Sequence, residues 1–513
     1  MNKALKLNIF ISFALIFYLL GYYVMSRGNL HEDAYILFQY SKMLSHGHGI
    51  AFDLTSGPSE GATDFLWMVT LALMAVLSID IGTAALLLNG IGLCVTAWAV
   101  IRIRGRCDLV SVSASGLLLL TGGAAAALAG FSTLAYGGLY SLLTVSILEK
   151  RVNLAILAAI VLSLFRPEGV ILSFAGLFLL LLYSANYNVK MALRIFGTPV
   201  IIGLLYFIWR YHYFEMILPL PLLVKKQTDE VFEGFFININ AIMPYLSLLV
   251  PLIFYRKSID WRIINLILIG PLLLFFALLF AHQSQNICDR FQYPIILALI
   301  FSFVASYPSD VPRKITIIAM APAFGFGLLL VYSLINFTTT NGYLNNFPYL
   351  LRSQGFIVDK IAITEAGNFP FYYNAPKMID LVGLNSREVV LEGPYSVLSR
   401  ENPEFIFVNH AGRYDLSGFN KNARYLIKDA REISLIKSYS GRKPTLIAPE
   451  AALRFAKERG YKAIIVGSIH VYFLSESLDT TIFLKALTQS FDMPLSYYDL
   501  ERLTIERKDI QFR

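Results

Sequence analysis

Long apolar runs separated by short polar and basic loops fill the first two thirds of the chain and give out near residue 338. Crossing about 30 Å of hydrocarbon takes roughly 20 apolar residues. By that measure candidate spans lie at 7–25, 82–101, 109–127, 134–148, 152–165, 169–185, 195–209, 236–254, 263–281, 292–307 and 315–337. The first follows a short basic start (Lys3, Lys6) and precedes no small-residue cleavage site, so it reads as an uncleaved anchor rather than a signal peptide. The stretch 64–79 is also apolar, and reading it as a span would invert every later loop. Beyond 340 the pattern changes. Short β-branched runs at 360–364, 405–408, 445–447, 463–466 and 471–474 alternate with helix-like stretches such as 450–459, the signature of a soluble α/β domain.

Composition and charge sharpen this picture. At 56% hydrophobic and 15% charged the chain is too apolar for a soluble protein, whose charged fraction is roughly 25%. Residues 340–513 hold 22 of the 43 Lys and Arg and 19 of the 35 Asp and Glu. Three scattered cysteines, Cys94, Cys107 and Cys288, suggest neither a disulfide framework nor a zinc site. The net charge of +8 reports loop topology rather than a nucleic-acid partner. With 64–79 kept at the outer interface, loops on the inner side hold fourteen basic residues and outer loops before 338 hold seven. That asymmetry satisfies the positive-inside rule. The expected architecture is an α-helical polytopic membrane protein of about eleven transmembrane helices, residues 1–338, followed by an extracytoplasmic α/β domain, 339–513. Its N-terminus lies inside, and its first outer loop covers 27–81.

On this topology the unusual polar residues gather at one membrane face. They are His31-Glu32-Asp33, His46-Gly47-His48-Gly49, Ser59-Glu60-Gly61, Arg166-Pro167-Glu168-Gly169, Arg210, Lys225-Lys226 and Asp289-Arg290. Charge at membrane depth is expensive and usually pairs or lines a cavity. The set suits transfer of a sugar from a lipid phosphate. One carboxylate takes the acceptor hydroxyl's proton, and cations stabilise the departing phosphate. Transporters tend instead to carry internal repeats and midplane charges, neither of which is evident, so a flippase for lipid-linked sugars is the rival from a different class.

At these residues the chain resembles the GT-C glycosyltransferases, and within them the bacterial terminal β-arabinofuranosyltransferases. That family's first loop reads approximately [DE]-D-A-Y-I-x-F-R-Y-A, then G-H-G and V-E-G-Y-T-x-x-L-W. The matching stretches are Glu32-Asp33-Ala34-Tyr35-Ile36-Leu37-Phe38-Gln39-Tyr40, Gly47-His48-Gly49 and Glu60-Gly61-Ala62-Thr63-Asp64-Phe65-Leu66-Trp67. The R-P-[DE]-G signature is Arg166-Pro167-Glu168-Gly169, and Trp209-Arg210-Tyr211 through Leu218-Pro219 and Lys225 echoes a further motif. In the outer domain Glu365-Ala366-Gly367, Tyr372-Tyr373 and 379–385 resemble D-A-G, Y-Y and I-D-L-x-G-L-N. Three departures stand out. The family's S-G-M-E-T is Ala129-Gly130-Phe131-Ser132-Thr133, its Asn after Leu-Pro is Leu220, and its first-loop Arg is Gln39.

The resemblance implies a bacterial inner-membrane enzyme with a polyprenyl-phosphate sugar donor, D-arabinofuranose being the sugar it favours, and a glycan or glycoprotein acceptor. Hexosyl or oligosaccharyl transfer is the alternative within the class. Asp33 is the expected base, against a plain helix N-cap, and Glu32 its helper. Arg166, Arg210, Lys225 and Arg290 are the expected phosphate ligands, against a local ion pair with Glu168 for the first and lipid-facing interfacial cations for the others. His48, Glu60, Trp67, Glu168 and Asp380 are the expected substrate contacts. For Trp67 the plain alternative is an interfacial aromatic, and for Asp380 a strand end. His46 and His48 lack a third ligand, so no metal is assigned and divalent-metal dependence stays open.

Overall fold

The computed structural model describes residues 3–26, 30–61, 63–183, 188–224, 231–257, 259–281, 283, 286–307, 313–336, 343–409, 412–416, 425–436, 444–467 and 469–492. Helices dominate as far as Asn336, and all strands follow it. Four helices are long and apolar enough to cross a membrane by themselves: Ile81–Arg104, Val189–Phe214, Phe232–Phe254 and Trp261–Leu278. A pair bent by 45°, Leu109–Leu118 with Gly122–Leu128, makes a possible fifth. The other expected spans coincide with apolar helices of 10–17 residues, including Ser12–Met25, Thr133–Leu148 and Tyr293–Ser306. The stretch 64–79 becomes the helix Phe65–Val76, whose 12 residues measure about 18 Å and fall short of the hydrocarbon thickness.

Ile81–Arg104 and Thr133–Leu148 form the centre of the bundle because glycine lets their backbones touch. A Cβ on Gly138 would stand 2.7 Å from the Gly92 Cα, and one on Gly92 would stand 2.2 Å from the Leu134 carbonyl. Such small-residue contacts replace the hydrophobic drive that is missing in lipid. Buried Asn89 adds a polar tie. Its amide donates to the carbonyls of Ala85 and Phe131, and its Oδ1 accepts the Leu134 and Ala135 amides at the start of the second helix.

The outer domain is a three-layer α/β/α sandwich. Its strands are β1 (Lys360–Ile363), β2 (Lys377–Asp380), β3 (Phe405–Asn409), β4 (Tyr414–Asp415), β5 (Tyr425–Asp429), β6 (Ser434–Leu435), β7 (Lys462–Val466) and β8 (His470–Leu474). Six of them form one sheet in the order β2-β1-β3-β8-β7-β5, with β1 parallel to β2 and β3 and the remaining pairs antiparallel. Alternation sorts the side chains. Ile361, Ile363, Phe405, Phe407, Tyr472 and Leu474 pack toward Tyr343–Ser353 and Thr480–Asp492, whereas Ala362, Ile406, Val408, Val471 and Phe473 pack toward Pro394–Glu401 and Pro444–Glu458. The run 445–447, expected as a strand, lies instead in the helix Pro444–Glu458. Three β-branched and aliphatic residues are outweighed there by the helical spacing of buried Ala448, Ala451, Ala452, Phe455 and Ala456.

The first outer loop joins the two parts. Asp53 is 2% exposed, and its carboxylate accepts the amides of Thr55 and Ser56 and, across the junction, of Met378 at 3.0 Å. Leu54 N–H donates to the Pro376 carbonyl, Lys42 to the Phe371 carbonyl at 2.8 Å, and the Tyr35 and Tyr372 hydroxyls meet at 3.2 Å. Asp53→Ala would leave three amides without their acceptor, a loss of about 2–4 kcal/mol. The variant should melt lower than wild type and release the outer domain faster in limited proteolysis; an unchanged digestion rate would show that this joint does not hold the domain.

Candidate active site

Four helix N-termini meet near the junction of the two parts. The helix Glu32–Ser45 is capped by His31, whose Nδ1 accepts the Asp33 amide at 3.2 Å and whose own amide donates to the Ala129 carbonyl. Asp33 is therefore not the N-cap, and the plain alternative for its carboxylate is removed. Phe65–Val76 begins after Asp64, Thr133–Leu148 after Ser132 and Gly169–Leu182 after Glu168, and none of these three side chains caps its own helix. They turn to Arg166 and to one another. Glu168 Oε1 lies 2.5 Å from the Arg166 guanidinium, Asp64 Oδ2 lies 4.0 Å from Arg166 Nε, and the Ser132 hydroxyl donates to Asp64 at 2.6 Å.

Local sequence explains how Arg166 reaches this place. As the residue before Pro167 it is extended (φ −148°, ψ 146°), which ends the helix Val152–Phe165. Gly169 then restarts the chain so close that a Cβ would stand 2.1 Å from the Leu162 carbonyl. The guanidinium is 3% exposed and sits 5.2 Å above the Tyr136 ring and 5.5 Å above that of Phe291.

Arg290 also lies against Phe291, 5.2 Å from that ring and 3.9 Å from the ring of Phe131. Burial, and then the facing Arg166, lower its pKa, while Asp33, Asp64 and Glu168 oppose the shift. Its loop is unusual, with φ of 52° at Cys288 and 55° at Asp289. Gly122 permits the turn, since a Cβ there would stand 2.4 Å from the Cys288 carbonyl. A buried amide cluster fixes it. Gln292 donates to Asn238 at 2.7 Å and to Gln283 at 2.6 Å and accepts from Asn286, which in turn accepts the Phe291 amide.

Nε of Arg166 and Nε of Arg290 are both buried without a hydrogen-bond partner, as are the Tyr136 hydroxyl and Thr133 Oγ1. Helix N-termini, two guanidiniums and idle donors are the groups from which anion sites are built.

The outer domain adds acid to it. The carboxyl ends of parallel β1, β2 and β3 point here, carrying Glu365, Asp380 and Asn409. The Gly367 amide donates to the Glu32 carboxylate, an approach only glycine permits, because a Cβ would stand 1.9 Å from the Glu32 carbonyl oxygen. Burial first, then Glu365 and Asp33, hold the Glu32 carboxyl well above the usual range. Glu365 accepts from Asn409 at 2.6 Å and is pushed up to about 7, chiefly by burial, with Asp33 and Asp380 adding to the rise.

Five of the expected residues thus come together: Glu32, Asp33, Arg166, Glu168 and Arg290. Others do not join them. Arg210 is ion-paired with Glu60 and donates from Nε to the Ile217 carbonyl at 3.0 Å, so these two buried residues hold each other and fasten the loop leading to Pro219. Glu60 is pushed up to about 6 by burial, which Arg210 opposes. The Asp380 carboxylate is taken up within its own turn by the Val382 and Asn385 amides and the Asn385 side chain, and Asn385 accepts from Tyr40 at 3.1 Å. His48 is exposed in a turn beyond the C-terminal end of the 14-residue helix that begins with Glu32, about 20 Å from Asp33. Trp67 is not an interfacial aromatic. It is fully buried with its ring edge on Phe165 and its indole N–H unpartnered. Lys225 lies outside the described residues. Among the described residues no three His, Cys, Asp or Glu side chains form a metal-binding group.

Asp64, Glu365 and Ser132 were not singled out from sequence as site residues. Each nevertheless lies in a quoted motif stretch, and the carboxylates at 64 and 365 within such stretches were the available signal.

No family model matches the chain, and no curated protein matches it in sequence. Solved structures do. ArnT from Cupriavidus metallidurans bound to undecaprenyl phosphate superposes with a TM-score of 0.59 at 10% identity, over 92% of this chain and 98% of that one. Its apo form gives 0.54 at 12% identity, over 78% and 92%. The mycobacterial arabinofuranosyltransferase AftD gives 0.48 at 13% identity, over 80% of this chain and 35% of that one. The fold is that of ArnT, a helical part followed by a sheet-containing C-terminal domain, the architecture that the GT-C resemblance led us to expect.

The Glu365 proton carries a testable consequence. A carboxyl whose folded pKa is raised from 4.5 to about 7 stabilises the fold below the lower value and loses that contribution as pH rises through the upper one, on the order of 3 kcal/mol in all. Glu365→Gln keeps an acceptor for Asn409 and cannot ionise. Its melting temperature at pH 8 should exceed that of wild type, and its decline between pH 5 and 8 should be shallower; parallel profiles would place the proton elsewhere.

Proposed function

We propose that the protein is a membrane glycosyltransferase that moves a sugar from a polyprenyl-phosphate donor to a hydroxyl of a cell-envelope glycan, lipid-linked glycan or exported protein. The work is done at the outer face of the bacterial inner membrane, with the outer domain, residues 339–513, guiding the acceptor. The observation that carries this reading is the pair of buried guanidiniums, Arg166 and Arg290, whose Nε atoms lack partners beside a carboxylate, Asp33, that caps nothing. ArnT, whose fold this chain shares, has been seen with undecaprenyl phosphate bound.

The chemistry follows from the charges. Asp33 takes the proton of the acceptor hydroxyl as its oxygen attacks the anomeric carbon. The bond from that carbon to the phosphate oxygen breaks through an oxocarbenium-like state, by analogy with glycoside hydrolysis. Negative charge builds on the departing polyprenyl phosphate, where Arg166 and Arg290 stabilise it with fixed, charge-assisted hydrogen bonds. Glu32 shares the acceptor side with Asp33. D-Arabinofuranose is the sugar favoured by the motif resemblance. Arg210, paired with Glu60, serves the scaffold in this reading.

Purified wild type and Asp33→Asn, given radiolabelled polyprenyl-phosphate arabinofuranose and a crude envelope-glycan acceptor, test it. Transfer by wild type, with a loss of about 100-fold or more in the variant and donor affinity within a few-fold, is expected. Equal transfer by both would remove Asp33 as the base. Transfer by wild type from hexosyl donors alone would change the sugar and keep the class.

A further inference from the structure

The resembled motif S-G-M-E-T has a carboxylate where this chain has Ser132. The structure finds a carboxylate in contact with that position, contributed by a residue 68 places earlier. The Ser132 hydroxyl donates to Asp64 Oδ2 at 2.6 Å, and the same oxygen lies 4.0 Å from Arg166 Nε.

We propose that Asp64 is a positioning residue for Arg166, and that it stands in for the carboxylate which this chain lacks at 132. The inference rests on the reading of Arg166 as a ligand of the donor phosphate.

Three observations carry it. First, both side chains are free for the task. Asp64 and Ser132 occupy the N-cap positions of Phe65–Val76 and Thr133–Leu148, where Asp and Ser ordinarily cap, yet neither makes a capping hydrogen bond. For the second helix Asn89 accepts the Leu134 and Ala135 amides instead, which releases Ser132 to face Asp64. Second, both are buried: Asp64 is 8% exposed and Ser132 is fully enclosed. A carboxylate taken that far from water persists only beside cations and donors, and here these are Arg166, the Ser132 hydroxyl and the Thr63 hydroxyl at 3.3 Å. Third, the geometry divides the Arg166 fork. Glu168 takes one terminal nitrogen at 2.5 Å, and Asp64 faces Nε from beyond hydrogen-bonding distance. The guanidinium is thus held on two sides by opposite charge while Nε stays unpartnered.

Asp64→Ser, Asp64→Ser/Ser132→Asp and Asp64→Ser/Ser132→Glu test the exchange. The first double variant swaps two side chains already in contact and conserves their summed volume. The second reproduces the motif. Melting temperature and the kcat and KM for polyprenyl-phosphate sugar are read together for each. Asp64→Ser should melt lower and lose tenfold or more in kcat with a smaller change in donor KM. At least one double variant should recover the melting temperature and bring kcat to within about threefold of wild type. Recovery of melting temperature without kcat would overturn the positioning role and leave a structural ion pair. Recovery of neither by either double variant would overturn the exchange, as would an Asp64→Ser variant indistinguishable from wild type. Absence of turnover in the wild type would be a failure of the donor reading. In that case undecaprenyl phosphate affinity replaces kcat: a tenfold change in Asp64→Ser that a double variant reverses supports the role, and unchanged affinity overturns it.

Discussion

Two guanidiniums buried against one phenylalanine ring, with too few partners between them, are the constraint on which the rest of the site depends. Arg166 and Arg290 repel each other, both lie against Phe291, and each retains a buried, unpartnered Nε. Such an arrangement is unfavourable in itself and persists only because its surroundings over-determine it. The surroundings are visible: carboxylates at 64 and 168, rings at 131 and 136, and a closed cluster of amides under the Arg290 loop. An anion bearing several acceptor oxygens would relieve the repulsion and fill the idle donors at once.

The fold supplies this constraint through chain reversals. The Arg166 turn needs Gly169 to lie against Leu162, and the Arg290 turn needs Gly122 to lie against Cys288. Arg166 follows the end of an apolar helix in an extended conformation, and Arg290 follows the left-handed pair Cys288 and Asp289; both guanidiniums are buried. The outer domain completes the enclosure by bringing the carboxyl ends of three parallel strands onto the first outer loop. Through Gly367 it contacts Glu32, and through Asn385 it contacts Tyr40. Acid on one side and base on the other are therefore set by separate parts of the chain, and docking of the outer domain brings them together.

Legibility in the sequence followed the range of the interactions. Apolar length located the helices, and short β-branched runs located β1, β3, β7 and β8 within a residue or so. Arg166 with Glu168 and Glu32 with Asp33 were readable because each pair acts through neighbours in the chain. What escaped was tertiary. Arg210 looked like a phosphate ligand because it is a cation at membrane depth, and nothing nearby in sequence announced Glu60, 150 residues earlier, as its partner. Asp64 stands at a variable position of its motif stretch, and its partner Ser132 lies 68 residues and four helices further on. Asp380 ends its strand as the plain alternative had it, and its own turn absorbs the carboxylate that was the expected substrate contact. Helix lengths followed the apolar stretches closely: 134–148 and 152–165 became Thr133–Leu148 and Val152–Phe165, because polar turns such as Arg166-Pro167-Glu168 interrupt the apolar run.

A structure of the protein with undecaprenyl phosphate bound tests the central claim most directly. The account predicts phosphate oxygens within about 3 Å of nitrogen atoms on both Arg166 and Arg290, with Arg210 still paired to Glu60. A phosphate held by Arg210 or by the lysines at 225 and 226, with Arg166 and Arg290 left bare, would contradict it.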